Sequence, residues 1–462
     1  MRGTNTRKTQ ASHPSRREFL RRALLAGTAL PLAGATILPL AGTTGATTSP
    51  APGKTLPPAE RLQIGVIGPR GRGADNARGV SSEDIVALSD IDATRLAEAS
   101  KEYPGAQTFK DFRRLLDVKG LDAVVVSTPD HMHAIPAVEA MRRGLDVYCE
   151  KPLAHSVHEV RVMRETAKRF GRVTQMGTQI HAEDNYRRVV EIVRAGVLGK
   201  IRRVHVWMGG KPRVGKRVAQ GTPPAHVDYD LWIGPAPFRP FHASHFHFNW
   251  RYWWDFGGGV LADFGCHYMD LPHWALDLRA PLRVEARGEK TYKGHNDVPD
   301  NLRVDYHYPA REYPARGALP PVHLTWYHGD WRPEGAEVYG KGSAVLFEGE
   351  NGRLLADYGS RKLFLDDEHK DAKLPEKSIP DSAGHHREWI DAVKTRGTTT
   401  CNFDTSGALA ETVLLGNVSY RCGKKLEWDD RALEATGTPE ARQYIRREYR
   451  KGWTLWQPTE KA

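Results

Sequence analysis

Lys151, Asp263 and His267 are the residues whose types and spacing best suit chemistry. Lys151 follows an apolar run, Leu145–Tyr148, that predicts a strand, and open α/β sheets bind ligands beyond the carboxyl ends of their strands. Asp263 and His267 are four residues apart, so on a helix they lie on one face. A carboxylate beside an imidazole holds its tautomer and raises its basicity. This arrangement suits proton abstraction from an alcohol as hydride leaves.

Each of these residues also has a purely structural interpretation. Lys151 could be an ordinary surface residue that begins a loop, since Pro152 marks the end of the strand. Asp263 could cap a helix N-terminus, and His267 could be a core residue whose ring nitrogens have hydrogen-bond partners. The presence of all three residues in one chain favours the catalytic interpretation.

A glycine-rich turn lies upstream, between a short apolar strand and a run of small helical residues. Its sequence is Gly68-Pro69-Arg70-Gly71-Arg72-Gly73. A strand, a glycine-rich turn and a helix N-terminus together form a pyrophosphate site, because glycines allow a tight turn and close backbone approach. The spacing departs from G-x-G-x-x-G, since Arg70 is in the second position and Gly71 follows it. Arg70 or Arg72 could then reach a phosphate.

An acidic residue follows at the distance expected for a dinucleotide site. The strand Ile85–Leu88 leads to Asp90, about twenty residues after the glycines, where a carboxylate can bind the ribose hydroxyls of NAD. A loop cap is the alternative role for Asp90. An acid at this position argues against the 2′-phosphate of NADP, although the nearby Arg95 keeps NADP possible.

The order of predicted elements indicates two α/β domains. Strand-like and helix-like segments alternate up to Met176, which predicts a doubly wound, Rossmann-type parallel sheet. Longer alternating strands without intervening helices follow, which predicts a large, mostly antiparallel open sheet. The expected domains are a nucleotide-binding domain at 61–177, a substrate and oligomerisation domain at 178–430 and a C-terminal tail at 431–462.

Four segments together resemble the Gfo/Idh/MocA oxidoreductase family. They are the turn Gly68 to Gly73, the run Ser127-Thr128-Pro129-Asp130-His131-Met132-His133, the run Cys149-Glu150-Lys151-Pro152-Leu153 and the glycine-rich segment Gly257 to His267. The resemblance covers roughly residues 60–430. It implies a nucleotide-binding domain followed by an α/β domain whose open sheet carries the substrate face and often mediates oligomerisation.

The resemblance also implies roles for individual residues. Lys151 would lie near the substrate hydroxyl and the nicotinamide, where it could share or relay the proton. His133 would line the nicotinamide pocket. The remaining cofactor-binding residues implied by the matching segments are Thr128, Pro129 and Glu150.

Weaker substrate candidates are aromatic or histidine residues of the second half. Trp250 and Trp254 could stack on a sugar, although an apolar lid or a subunit contact fits them equally well. His181 lies at the predicted domain junction and could touch substrate. His242, His245 and His247 are closely spaced, but their spacing does not match a pattern that would bring three ligands to one metal ion. We therefore expect no metal site.

The N-terminus carries most of the excess positive charge. Residues 1–46 contain seven Arg or Lys and one acid, which leaves only +5 of the net +11 for the rest of the chain. That is too little to indicate nucleic acid or a membrane surface as a partner.

The pair Arg16-Arg17 before an uncharged segment is typical of a twin-arginine export signal at 1–46, and the composition of 47–60 is typical of a linker. The alternative is an uncleaved membrane anchor, and export predicts a periplasmic location.

Three functions remain open from the sequence. The first is oxidation or reduction of a sugar or cyclitol hydroxyl with tightly held NAD, or possibly NADP. The second is redox-neutral elimination of a glycosidic substituent after transient oxidation of a hydroxyl, and export favours such a closed cycle. The third is a non-catalytic sugar-binding protein. We also expect a homo-oligomer and no disulfide framework among the four cysteines.

Overall fold

The computed structural model describes residues 57, 60–211, 218–313 and 317–459. The predicted export signal at 1–46 lies outside the described residues. So does the predicted linker at 47–60, apart from Pro57 and Glu60. Within the described ranges, no helix is both long enough and apolar enough to cross a membrane.

The first sheet has six parallel strands in the order β3-β2-β1-β4-β5-β6. Its strands are β1 (Gln63–Ile67), β2 (Asp84–Ser89), β3 (Gln107–Phe109), β4 (Ala123–Val126), β5 (Asp146–Cys149) and β6 (Thr174–Met176). The helices that alternate with them are α1 (Arg72–Gly79), α2 (Ala93–Glu102), α3 (Phe112–Leu115), α4 (Ala134–Arg142) and α5 (Val157–Phe170). The central strands β4 and β5 are buried along their whole length, as expected for a parallel sheet covered by helices on both faces. The predicted Rossmann-type domain is confirmed.

The segment 109–116 contains the end of a strand and a short helix. The structure divides it between β3, which ends at Phe109, and α3, which begins at Phe112. Asp111 separates them because its side chain accepts a hydrogen bond from the Arg113 N–H and so caps the helix. A three-residue strand is too short to show a hydrophobic period.

The second sheet has nine strands in the order β15-β14-β13-β7-β12-β9-β8-β16-β17. Its strands are β7 (Ile201–Met208), β8 (Arg283–Glu289), β9 (Asn301–Tyr308), β12 (Val322–His328), β13 (Ser343–Gly349), β14 (Gly352–Ala356), β15 (Arg361–Leu365), β16 (Leu426–Asp429) and β17 (Glu434–Thr436). The remaining two strands, β10 (Arg311–Tyr313) and β11 (Gly317–Leu319), pair with each other in a separate hairpin. Only the β7–β12 pair of this sheet is parallel, so the expectation of a mostly antiparallel sheet is confirmed.

Helices connect the two sheets. The second half contributes α6 (Asp184–Arg194), α7 (Tyr229–Ile233), α8 (Gly259–Tyr268), α9 (Asp270–Leu276), α10 (His385–Thr395), α11 (Phe403–Cys422) and α12 (Arg442–Ile445). The long helix α11 packs against both β8 and α5. On α11 the buried Glu411 accepts hydrogen bonds from Arg161 and Arg164 of α5, at 2.9 Å each. Helix α11 therefore packs back against the first domain.

Two further segments cover the first sheet. One is the insertion between β7 and α8, described at 209–211 and 218–258, which makes an isolated bridge from Val227 to Asp92. The other is residues 446–459, here called the C-terminal strap. The strap packs its Trp456 against Phe170 of α5, with ring centroids 5.4 Å apart. Both segments therefore contact the nucleotide-binding half of the molecule.

Candidate active site

A cavity of about 780 Å³ lies at the carboxyl ends of the parallel strands. Its walls come from the turns after β1, β2, β4 and β5, from α8, from the insertion and from the strap. This is the position where open α/β sheets bind ligands. The cavity contains all ten predicted cofactor residues except Gly73, together with two of the three predicted catalytic residues: Gly68, Arg70, Gly71, Asp90, Thr128, Pro129, His133, Glu150, Lys151 and His267.

The glycine-rich turn fits a pyrophosphate because its backbone is tightly packed, with no room for a Cβ at Gly68 or Gly73. A Cβ on Gly73 would lie 1.7 Å from the carbonyl oxygen of Gly68, and a Cβ on Gly68 would lie 2.8 Å from the Ser127 oxygen. Gly68 and Gly71 both have positive φ, which glycine adopts without strain. Gly73 thus supports the turn from behind the cavity wall. The turn leads directly into the N-terminus of α1, where backbone N–H groups favour an anion.

Arg70 and Arg72 are both held by carboxylates. Arg70 contacts Glu98 at 3.0 Å and Glu102 at 2.5 Å, both on α2. Arg72 contacts Glu150 at 3.3 Å and lines the same cavity. Their positive charge at the turn is therefore partly neutralised, and both side chains remain at the cavity wall.

Asp90 and Asp92 have different positions relative to the cavity. Asp92 caps α2 by accepting hydrogen bonds from the N–H groups of Thr94 and Arg95, and it is not part of the cavity wall. Asp90 does line the cavity. Burial raises the pKa of Asp90 to about 6. Asp90 is thus the acid at the cavity wall. It also accepts a hydrogen bond from the Asp92 N–H at 3.0 Å, as the loop-cap alternative expects.

Glu150 connects the glycine turn to the strand end that carries Lys151. Its carboxylate accepts hydrogen bonds from Asn76 at 2.9 Å, from Gln179 at 3.1 Å and from the N–H of Lys151 at 3.2 Å. The side chain is buried, so these bonds replace the water that a carboxylate would otherwise need. Glu150 therefore positions the cavity wall around Lys151.

Lys151 and Asp263 form the central polar contact of the cavity region. The Lys151 ammonium donates to the Asp263 carboxylate at 2.5 Å and to the Asp263 carbonyl oxygen at 2.7 Å. The Arg251 Nε donates to the same carboxylate oxygen at 3.3 Å. Burial raises the pKa of Asp263, but the charges of Lys151 and Arg251 outweigh it and lower that pKa to about 2. Asp263 is therefore a permanent anion that fixes Lys151.

The expected pairing of the Asp263 carboxylate with the His267 ring is wrong. Both residues lie on α8, but the carboxylate turns to the two cations, and the His267 Nδ1 has no hydrogen-bond partner among the described residues. Burial and then the Lys151 charge lower the pKa of His267 to about 3. The ring is neutral at physiological pH. The stronger attraction of two full positive charges for the carboxylate explains the difference from the expectation.

His133 lines the cavity, but its ring nitrogens both lie against main-chain oxygens. Nδ1 is 2.8 Å from the Pro152 oxygen, and Nε2 is 2.8 Å from the Thr128 oxygen. Burial lowers the pKa of His133. This residue joins the turn after β4 to the turn after β5, so it shapes the wall on which Thr128 and Pro129 lie.

Two of the predicted substrate residues lie elsewhere. His181 is buried outside the cavity, stacked on Trp274 at 3.8 Å and bonded to Asp270 at 2.8 Å. Trp254 lies under the guanidinium of Arg421 at 5.1 Å and also lies outside the cavity. Both predictions of substrate contact are wrong, because each side chain is occupied by a neighbouring partner.

The third substrate candidate, Trp250, lines the cavity. The Arg251 guanidinium lies 4.3 Å from the Trp250 ring centroid. The three neighbouring histidines have different partners. His242 contacts the Val218 oxygen, His245 packs against Trp253 with tilted rings, and His247 forms a hydrogen bond with Asp92. Within the described part of the chain, no group of three potential ligands could hold a metal ion.

Sequence reasoning missed several cavity residues. Arg251 lies in an aromatic-rich stretch that drew attention for its tryptophans, while Tyr358 and Trp453 come from segments without any motif. Asp130 belongs to the segment Ser127 to His133, and the sequence predicts no role for it. It is buried beside the cavity, and burial raises its pKa to about 8, so it is protonated at neutral pH.

Comparison with protein families gives two adjacent matches. Residues 62–178 match the oxidoreductase family with an NAD-binding Rossmann fold, and residues 186–311 match the C-terminal α/β domain of the same family. Together the two matches cover more than half of the chain. The N-terminal domain is therefore an NAD-binding Rossmann domain.

Similar curated proteins are cyclitol dehydrogenases. The chain is 34% identical to the inositol 2-dehydrogenase of Rubrobacter xylanophilus over 146 residues, which are 30% of this chain and 42% of that protein. It is 32% identical to inositol 2-dehydrogenase 2 of Saccharopolyspora erythraea over 181 residues, 37% of this chain and 53% of that protein. The chain thus spans about half of the length of these relatives.

Solved structures share the fold over 82% of this chain. GenD2 from gentamicin A biosynthesis, in complex with NAD, has a TM-score of 0.56 at 20% identity, over 82% of this chain and 99% of that one. The WlbA dehydrogenase from Chromobacterium violaceum, in complex with NADH and UDP-GlcNAcA, has a TM-score of 0.58 at 17% identity, with the same two coverages. At these identities the likeness shows the fold alone.

Proposed function

Because this chain belongs to the Gfo/Idh/MocA family of oxidoreductases, we propose that it is an NAD-dependent enzyme acting on a hydroxyl group of a sugar or cyclitol. One observation carries the proposal. Lys151, fixed by Asp263, and the neutral His267 lie at the same cavity as the glycine turn and Asp90. A dinucleotide site and a proton-transfer site are thus joined.

The residues present fit NAD, since Gly68 and Gly73 leave no space for a Cβ in the tight turn and Asp90 lies at the wall. Gly68, Gly71 and the N-terminus of α1 would hold the pyrophosphate, and Asp90 would accept hydrogen bonds from the ribose hydroxyls. NADP is disfavoured because its 2′-phosphate would meet the Asp90 carboxylate. When bound, NAD supplies a hydride acceptor or donor at the substrate carbon.

Lys151 orients the substrate hydroxyl in this proposal. A lysine ammonium has three N–H donors, and Asp263 takes two of them through its main-chain and side-chain oxygens. The remaining donor is available to a substrate oxygen. The charge of Lys151 also stabilises the negative charge that develops on that oxygen as its proton leaves.

His267 is the proton acceptor in this proposal. Its ring is neutral and lines the cavity, so it is placed to take the proton of the substrate hydroxyl. Asp263 is a positioning residue, because its carboxylate contacts the two cations rather than the imidazole. Arg251 lies on the ring of Trp250, and both residues line the part of the cavity that the insertion covers.

Tight retention of NAD is part of the proposal, and the roof of the cavity supports it. The insertion contributes Leu231, Trp232 and His247 to the cavity wall. It is tied to the first sheet by the Asp228 N–H, 2.9 Å from the Ile91 oxygen, and by the His226 oxygen, which accepts from the Ala93 N–H at 2.8 Å. A nucleotide under such a roof leaves only when the roof moves.

The experiment is a substrate screen with NAD-loaded protein. Sugars, cyclitols and uronic acids are offered, and formation of reduced nucleotide is followed by its absorbance. The proposal predicts substrate-dependent reduction with at least one polyhydroxy compound. Binding of sugars without any reduction, by a protein shown to hold NAD, would favour the sugar-binding alternative instead.

A redox-neutral glycoside-cleaving enzyme is the second candidate, and the export pattern around Arg16-Arg17 favours it. An exported enzyme would meet no free nucleotide pool, so a closed cycle suits it. We propose export through the twin-arginine machinery to the periplasm, which a fusion of residues 1–46 to a reporter tests. Release of an aglycone without net nucleotide reduction would identify this second chemistry.

Homo-oligomerisation is likewise a proposal, which a measurement of the molar mass of the protein in solution tests.

A further inference from the structure

We propose that Trp453 of the C-terminal strap is a cofactor-retention residue that closes the adenosine end of the NAD cavity. This inference rests on the proposed function only in requiring that the protein binds NAD. Trp453 is almost fully buried and lines the same cavity as Gly68 and Asp90. The strap lies beyond the two matched family segments, which end at residue 311.

The position of Trp453 identifies the end of the cavity that it closes. Arg113 of α3 lies 4.3 Å from the Trp453 ring centroid, and Phe112 lines the cavity beside it. Helix α3 follows β3, whose end is joined to the end of β2 by the Asp90 N–H and the Phe109 oxygen, 3.2 Å apart. Trp453 therefore lies on the side of Asp90, where the adenosine ribose binds.

Lys151 lies at the other end of the site. It follows β5, which is four strands away from β3 in the sheet order. At about 4.8 Å per strand, the two strand ends are roughly 19 Å apart. Trp453 can thus affect how NAD is held without contact with the reacting atoms.

The strap has a first anchor on the nucleotide-binding domain. Arg447 forms an ion pair with Glu159 at 2.7 Å and donates to the main-chain oxygen of His131 at 2.6 Å. The Tyr449 hydroxyl donates to the same Glu159 carboxylate. Glu159 is itself part of the capping box of α5, together with Ser156. A buried cluster of ion pairs and hydrogen bonds of this kind holds the strap at a fixed position.

A second anchor joins the strap to the roof. Arg450 donates to the main-chain oxygens of Gly234 and Asp230, at 3.0 Å each, and its own N–H donates to the Pro235 oxygen at 3.0 Å. These residues belong to α7 and the turn after it, and α7 presents Leu231 to the cavity. The strap therefore binds both the nucleotide-binding domain and the insertion that roofs the cavity. Trp453 lies only three residues after Arg450. Release of the adenosine requires this closure to open.

The experiment measures NAD release in the absence of substrate, so its failure is distinct from a failure of the proposed redox activity. Full-length wild type, Trp453→Ala and Trp456→Ala are loaded with a fluorescent NAD analogue and then chased with excess NAD. Trp456 is the matched control. It is an equally buried tryptophan of the strap that packs against Phe170 and under Arg142, outside the cavity.

We expect Trp453→Ala to speed NAD release by about tenfold or more, which corresponds to about 1.4 kcal/mol, with Trp456→Ala within twofold of wild type. Both variants should lose some thermal stability. If an alanine variant does not fold, Trp453→Phe and Trp456→Phe replace the pair with the same expected order. Equal release from wild type and the Trp453 variant, or equal acceleration in both variants, would overturn the proposal.

Discussion

The Lys151 ammonium donates to both the carboxylate and the main-chain carbonyl oxygen of Asp263, at 2.5 and 2.7 Å. Lys151 follows the fifth strand of one sheet, and Asp263 lies on a helix more than one hundred residues later that packs on the other sheet. This one contact therefore joins the nucleotide-binding and substrate halves. It also leaves His267 without the carboxylate partner that the four-residue spacing suggests.

The neutral state of His267 makes a prediction about the pH dependence of turnover. Its pKa, lowered to about 3 by burial and by Lys151, leaves the ring unprotonated at every pH above about 4. We therefore expect kcat at saturating NAD to show no acid limb from His267 between pH 5 and pH 8. His267→Ala should lower kcat by about 100-fold or more. A wild-type limb near pH 6.5 that disappears in His267→Ala would contradict this assignment.

Gly73→Ala should weaken both the fold and NAD binding. The new Cβ would lie 1.7 Å from the Gly68 oxygen, so the turn must shift. We expect a loss of about 1–3 kcal/mol in the free energy of unfolding and a clear loss of NAD affinity by calorimetry. Gly105→Ala is the control, because a Cβ there meets no atom within 4 Å. Unchanged NAD affinity in Gly73→Ala would argue against a pyrophosphate at this turn.

Asp90 and Asp92 should separate binding from stability. Asp90→Ala removes the charged acceptor at the cavity wall, so we expect NAD affinity to fall by about 1.5–3 kcal/mol, with little change in thermal stability. Asp92→Ala removes the cap of α2, so we expect about 1 kcal/mol less stability, with NAD affinity nearly unchanged. Titration with NAD and thermal unfolding of both variants check this. The reverse pattern would move the ribose site to Asp92.

The buried pair of His181 and Asp270 predicts a loss of stability at alkaline pH. Burial lowers the pKa of His181, but Asp270 outweighs it and raises that pKa to about 10. Because the folded-state pKa lies above the unfolded value near 6.5, the stabilisation is complete below pH 6.5 and is lost as pH rises through 10. Urea unfolding should therefore show the gap between wild type and His181→Gln shrinking from pH 6 to pH 10.

The exposed pair of His369 and Asp366, 2.7 Å apart, is the control for that experiment. Ion pairs at the surface contribute little to stability, so His369→Gln should follow the wild-type pH dependence. A gap between wild type and His181→Gln that stays constant with pH would mean that the buried pair carries no net charge on His181.

The sequence predicted the first sheet well because buried parallel strands and glycine turns are local signals. The run Ala123–Val126 is apolar throughout, and Asp90 follows its strand at the expected distance. The strands that were missed are short or lie after residue 350, where apolar residues do not alternate over a long window. Examples are Gln107–Phe109 and Glu434–Thr436.

Only those residues of the candidate site that lie in recognisable motifs could be predicted from the sequence. Lys151 and His267 reach the cavity, but which partner Asp263 takes depends on Arg251, which the insertion brings back over α8. His181 appeared available in the sequence, and its partner Asp270 became visible only in three dimensions. Trp453 belongs to a segment expected to be a tail, and nothing in its local sequence indicates a cavity 300 residues upstream.

The most direct test of the central claim is a single turnover with NAD-loaded protein and a substrate from the screen. Reduced nucleotide is followed by absorbance in wild type, Lys151→Met and Lys110→Met. Lys110 also lines the cavity, but its side chain is largely exposed, 3.7 Å from Asp228. We predict reduction in wild type and Lys110→Met, and a rate at least about 100-fold lower in Lys151→Met with NAD still bound. Reduction by Lys151→Met at the wild-type rate would contradict the account.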